Sequence, residues 1–183
     1  VRNNRARSLL ISTPRKVIVR NNQLSSQMAN FRITGDLDLW NESSYSNDLL
    51  IENNVIENSM YGGNGPQAIF LIDPQYDDLK TIKGKYSKNI TIRNNIIKTF
   101  DSSIMNAISV DGLVFENNQI FQTDTYKPLF PNAKNISITN CNNVTIKGNK
   151  FKGLDGKSKE GTITIDEKST SVNIVKGDVF FSK

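Results

Sequence analysis

The chain has 183 residues, enough for one domain with its own core. It carries no histidine and a single cysteine, Cys141, which excludes histidine-activated nucleophiles, histidine metal sites, zinc fingers and an internal disulfide framework. The net charge is +5, with basic residues scattered and no nucleic-acid-binding signature among them, and no apolar run is long enough to span a membrane, so neither nucleic acid nor membrane is expected as a partner.

In chain order, VRNN opens the sequence and reads as the tail of a repeated unit. NNRARSLLIST, residues 3 to 13, does not repeat. VIVRNNQL from Val17 is the first complete unit, and ITGDLDLWNESS, residues 33 to 44, follows without a repeat. LLIENNVI from Leu49 is the second unit. A long non-repeating segment runs from Met60 to Lys88 and contains AIFLID and IDPQYDD. ITIRNNII from Ile90 and LVFENNQI from Leu113 are the third and fourth units. VTIKGNKF from Val144 is the fifth, with Gly148 in place of the first Asn. SVNIVKGDVFF supplies a last one. Between the units lies a second strand class: AIFLID, NAISVDG, NISITN and GTITID.

Each unit alternates apolar and polar residues over four positions, the pattern of a half-buried strand. Paired Asn then ends the strand, because Asn tolerates left-handed backbone angles and bonds its own backbone. An apolar residue follows: Leu24, Ile56, Ile97, Ile120 and Phe151. The second Asn falls at 22, 54, 95, 118 and 149, so the intervals are 32, 41, 23 and 31 residues. The shortest is about one rung of a parallel β-helix, and the longer ones are a rung plus an insertion or more than one rung. The expected fold is all-β: a single domain over residues 1–183, built as a right-handed parallel β-helix, the hand following from parallel crossovers. Stacking would set Asn above Asn and allow amide ladders. The chain opens in mid-rung without a cap, which suggests the C-terminal part of a longer β-helix whose exposed N-terminal rung favours self-association.

Solenoid insertions collect on one face, and that face often binds. ITGDLDLWNESS sets Asp36, Asp38 and Glu42 around Trp40, the only Trp. Carboxylates beside an aromatic platform suit a sugar: the ring face stacks, and the carboxylates accept hydroxyl hydrogen bonds or do acid–base work. A polar loop around a packed Trp explains the same residues. Arg5 and Arg7 suit carboxylates or sugar hydroxyls, or serve as surface charges. Asp73, Asp77 and Asp78 lack calcium-loop spacing, so neither metal nor other cofactor is expected. Asn41, Asn89, Asn135 and Asn143 stand in N-x-S/T sequences and are read as turn residues, and Cys141 as a packed one.

NNRARSLLIST, the strand ending in RNN, ITGDLDLWNESS and KNITIRNNIIKTFDSSIMNAISVDGLVFENNQI (residues 88 to 120) together resemble the C-terminal β-helix of the α-1,3-galactosidases of glycoside hydrolase family 110. That family shows an NNRARG-type turn, a GD...W.ES loop and a TFD...A.SVDGL.F..N run in this order. The resemblance covers roughly residues 3 to 120 and departs at Ser8, where the family has Gly, and at Asn41, where an aromatic residue is common. It implies an inverting exo-enzyme that releases terminal α-linked galactose, in a secreted or periplasmic bacterial protein. It marks Arg5, Arg7, Asp36, Trp40 and Glu42 as substrate-binding or cleft-supporting groups, with Asp36 and Glu42 the candidate acid and base. The family's catalytic aspartates lie on rungs before the NNRARG-type turn, so the expectation is that this chain lacks the complete set. A non-catalytic polysaccharide-binding β-helix, a polysaccharide lyase and a purely structural solenoid remain open as alternatives.

Overall fold

A computed structural model describes residues 1–35, 45–64, 67–75 and 84–180. Its strands wind into three parallel sheets that together enclose one core, a parallel β-helix. The VIVR-type strands form sheet 1: β2 (Val17–Arg20), β5 (Asn47–Glu52), β8 (Ser87–Arg93), β11 (Val110–Glu116), β14 (Asn142–Lys147) and β17 (Thr170–Ile174). The residues after each bend form sheet 2: β3 (Gln23–Ser26), β6 (Val55–Ser59), β9 (Ile96–Thr99), β12 (Gln119–Gln122) and β15 (Lys150–Lys152). The second strand class forms sheet 3 as β7 (Phe70–Ile72), β10 (Met105–Ile108), β13 (Ile136–Thr139) and β16 (Ile163–Ile165). It is preceded there by β1 (Leu9–Ile11) and β4 (Phe31–Ile33). Among the described residues there is no helix.

Every Asn-to-Asn interval proves to be one rung plus its insertions, since each contributes one strand to each sheet. Register is set by apolar residues stacking on their equivalents. Leu49, Ile90, Leu113 and Val144 lie side by side, as do Leu24, Ile56, Ile97, Ile120 and Phe151. A one-residue slip would turn such a column out to water. Each buried aliphatic side chain contributes about 1.5–3 kcal/mol. Aromatic contacts run through the core from Phe31 to Phe70 (5.2 Å), Phe115 (6.3 Å) and Phe180 (6.2 Å).

The two Asn of each unit divide the work. The first takes the left-handed conformation, with φ of 59, 56, 55 and 54° at Asn21, Asn53, Asn94 and Asn117; Gly148 takes 68° at the same place. The second builds a ladder. Asn22, Asn54, Asn95 and Asn118 each donate both backbone N–H and Nδ2 to the Oδ1 of the next Asn, at 3.0–3.1 Å. Asn149 makes the same pair of bonds to Asp178 Oδ2. Asn54 to Asn149 are almost wholly buried, so the ladder satisfies groups that water cannot reach.

Two features were not anticipated. A second left-handed column crosses sheet 1 at Asp48, Asn89, Gly112, Asn143 and Ser171, with φ between 52 and 80°. The residues just before the bends, Arg20, Glu52, Arg93, Glu116 and Lys147, lie side by side with alternating charge. Arg93 Nη2 meets Glu52 at 2.8 Å and Lys147 meets Glu116 at 3.1 Å. Asn89 and Asn143 occupy the second column, and buried Asn135 accepts from the N–H of Thr162, so these three serve as bends and contacts between rungs. Asn41 lies outside the described residues.

One expectation is corrected. The opening VRNN is not the tail of a unit at the Asn bend. Its bonds run to Gln23 and Ser25, and Asn4 bridges Ser26, so it lies along β3 beside sheet 2, past the bend. Asn3 keeps the left-handed turn at φ 54°. Its partner there is the Ser25 hydroxyl, not an amide of the ladder.

Candidate functional site

The insertions avoid the two-residue bend between sheets 1 and 2. Residues 34–46 and 73–86 leave sheet 3 toward sheet 1, and residues 60–69 and 123–135 enter sheet 3 from sheet 2. Both corners that carry insertions flank sheet 3. Its outer face is therefore the floor between the two corners from which the non-repeating segments depart, the place expected for a solenoid's binding face.

The floor is a row of side chains in register: Leu10, Arg32, Leu71, Asn106, Ser137 and Thr164. Alternation makes them point outward, because Phe31, Ile33, Phe70 and Ile72 fill the core. Yet Arg32 is only 8% and Leu71 only 2% exposed, whereas Leu10 at one end is 61% exposed. Leu71 packs there with Ala29 and Ala68 in a small cluster apart from the main core.

Arg32 is the chemical centre of this floor. Its Nη2 donates to Asp73 Oδ2 at 3.1 Å. Asp73 lies just past β7, and its other oxygen accepts the backbone N–H of Gln75 at 3.0 Å, closing a turn in which Gln75 has φ 49°. Burial lowers the pKa of Arg32, Asp73 works in the opposite direction, and the nearby positive charge of Arg7 lowers it further. Thr34 and Gly35 continue the same edge. Thr34 Oγ1 donates to Gly35 O at 2.8 Å, and a Cβ at Gly35 would run into the Tyr86 ring. A fixed guanidinium beside hydroxyl and amide groups is suited to hold a polyhydroxylated ligand or orient a carboxylate.

The sequence candidates divide. Arg7 is half-buried and close enough to Arg32 to be felt electrostatically, while Arg5 is exposed at the corner before β1. That corner is held by Asn4 Nδ2 to Arg7 O (2.6 Å) and Met28 N–H to Ala6 O (2.9 Å). Asp36, Trp40 and Glu42 lie outside the described residues, as do Asp77 and Asp78. Arg32 went unrecognised. Its sequence signal is an arginine at the centre of the otherwise apolar strand FRI. Among the described residues no three Asp, Glu or Cys side chains come together as a metal site. Thr99–Phe100–Asp101, matched by the family resemblance, is a bend: Asp101 N–H donates to Thr99 Oγ1, and its carboxylate accepts the N–H groups of Leu129 and Phe130.

No family model matches the chain. An α-1,3-galactosidase B of Bacteroides thetaiotaomicron is 35% identical over 181 residues, covering 96% of this chain and 28% of that protein. An α-1,3-galactosidase B of Phocaeicola vulgatus is 38% identical over 152 residues, with 80% and 26% covered. An α-1,3-galactosidase A of Bacteroides fragilis is 30% identical over 169 residues, with 92% and 28% covered. The chain is homologous to a part of the α-1,3-galactosidases. It spans roughly a quarter of the length of these relatives. The galactosidase match extends well past residue 120, the limit of the motif resemblance, and so takes in the later rungs as well.

Proposed function

We propose that this chain is the C-terminal β-helical part of a secreted or periplasmic exo-acting glycoside hydrolase of the α-1,3-galactosidase type. In this reading it forms the wall of a cleft that holds a terminal α-galactosyl residue. The observation that carries the reading is the Arg32–Asp73 pair, with Arg32 buried on an outward strand face between the corners that carry insertions, in a chain whose relatives bear the galactosidase name. An inverting hydrolase needs one carboxylic acid and one carboxylate roughly 6.5–9.5 Å apart. Asp73 is already engaged by Arg32 and the Gln75 N–H, so it serves as a positioning group. Asp36 and Glu42 remain this chain's candidates for acid and base, and Arg5, Arg7 and Trp40 for contacts with the sugar.

The test is an NMR time course with α-1,3-galactobiose. The 183-residue chain is expected to bind the disaccharide without cleaving it, and a longer protein containing it to release β-galactose first. Release by the chain itself would put a complete site within these residues and make Asp36 and Glu42 the leading pair. Binding with no turnover by either protein would favour a polysaccharide-binding β-helix, and no binding by either would end the glycan reading.

A further inference from the structure

The insertion 123–135 has a construction that its place in the rung does not require. It starts in register, with Thr123 N–H bonded to Thr99 O at 2.8 Å. It is then drawn back toward earlier rungs. Asp101, only 5% exposed and one rung before it, accepts the N–H groups of Leu129 at 2.8 Å and Phe130 at 2.9 Å, and Ser102 Oγ donates to Pro131 O at 3.1 Å. Tyr126 reaches further still. Its ring meets Phe100 edge to face at 5.3 Å and stacks on Tyr61, two rungs earlier, at 4.9 Å with an interplanar angle of 16°. The loop is thereby bent toward the rungs that carry Arg32 and Asp73, along a corner that flanks the floor of sheet 3.

Tyr126 remains 44% exposed and Leu129 45% exposed. Two clamps fix the ring's orientation, so little side-chain entropy would be lost on binding. Asp124 and Lys127 stand exposed in the same loop and offer an acceptor and a donor for hydroxyl groups. A galactopyranose has matching chemistry. Its axial C4 hydroxyl leaves one face with a patch of C–H groups that stacks on an aromatic ring, while its hydroxyls keep polar partners.

We propose that the 123–135 insertion forms a second sugar subsite, in which a pyranose unit next to the terminal galactose stacks on Tyr126 beside Leu129. This rests on the glycan reading above and deepens it. The subsite lies outside the Arg32–Asp73 pair and would select longer glycans over free galactose.

The test is saturation-transfer NMR and titration with galactose and with an α-1,3-galactosyl-terminated trisaccharide, on the 183-residue chain and its Tyr126→Ala, Leu129→Ala and Tyr126→Phe variants. Saturation of the aromatic protons should pass to the C–H groups of an inner sugar unit. Tyr126→Ala should weaken trisaccharide binding roughly fivefold, the size of one aromatic stacking contact, and leave galactose binding unchanged. Tyr126→Phe should behave as the parent. Unchanged trisaccharide affinity in both alanine variants would overturn the subsite while leaving the galactoside reading intact. Binding of neither sugar by the parent chain would overturn both. Melting curves within a few degrees of the parent show that the variants are folded, as expected for such exposed side chains.

Discussion

Asn149 Nδ2 donates to Asp178 Oδ2 at 2.9 Å, and the other oxygen of Asp178 accepts the Phe180 N–H, also at 2.9 Å. Every earlier step of this column ends on an amide, which can accept from one neighbour and donate to the next. A carboxylate only accepts. Asp178 therefore closes the ladder with no donor left over, and it does so where Phe180 packs on Phe115 at the end of the core. Asp178→Ala strips the acceptor from two donors of buried Asn149, at a cost of about 1–3 kcal/mol each. A drop of several degrees in melting temperature is expected. Asp178→Asn keeps one acceptor oxygen and should lose less. Asn118→Ala interrupts the ladder in mid-stack and should cost at least as much as Asp178→Ala. A calorimetric series on the three variants would refute the ladder's role if all melted with the parent.

Asp166 provides a pH test. Its carboxylate accepts the Asn140 N–H at 2.9 Å and the Ser169 hydroxyl at 2.6 Å. Burial works to raise its pKa, but these hydrogen bonds and the Ser169 N–H together lower it below the ordinary carboxylate value. A group depressed in the folded state stabilises above its unfolded pKa of about 3.9, and that stabilisation is lost as pH falls through the lower folded value. Asp166→Asn should therefore melt below the parent at pH 7, with the gap closing below about pH 4. A gap that stays constant across that range would mean the hydrogen bonds do not favour the charged form.

Gly35 stands where the chain leaves β4 for the segment that contains Asp36 and Trp40. A side chain there would collide with the ring of Tyr86, which is 9% exposed. Gly35→Ala must displace that ring, with an expected loss of about 1–3 kcal/mol from overpacking. A denaturant melt gives the value, and the same variant should weaken galactoside binding through the shifted edge beside Thr34. Unchanged stability would show that Tyr86 has room to yield.

Strands β1 and β2 each pair with one neighbouring strand, while residues 1–4 lie along the outer side of β3; Leu10 on β1 and Ile18 on β2 are 61% and 47% exposed. At the other end Val179 and Phe180 fold over the core, and Val179 O accepts the Gly161 N–H at 2.8 Å. Open strand edges pair readily with other chains. The 183-residue chain should show a mass above one chain in light scattering as concentration rises. A constant single-chain mass at high concentration would refute the expectation.

Most of the scaffold was readable from residue order. Asn-Asn after four alternating residues marked the bends, whereas the apolar residue that follows was not read as the start of a strand and proves to lie in sheet 2. The alternating charges at Arg20, Glu52, Arg93, Glu116 and Lys147 were equally visible in the units and went unnoticed. β1 and β4 were harder to read, because LLI and FRI are three-residue strands inside stretches that break the repeat. VRNN misled because the same letters also suit a turn beside Ser25.

The site was readable only as a set of stretches. Arg7 was a candidate by composition, but nothing local connects it with Arg32, which stands a rung away, or Arg32 with Asp73, which lies 41 residues further on. Nor does the segment 123–135 reveal that Tyr126 turns back to Tyr61. The sequence by itself determined the repeat, the bends and the parallel β-helix class, since those depend on short-range backbone preference and alternation of polarity; the division into three sheets came from the structure. Which insertions share a face, and which charges and rings meet there, only the tertiary structure decided. Rung stacking brings together residues whose separation in the chain depends on insertion length, and no local pattern records that length.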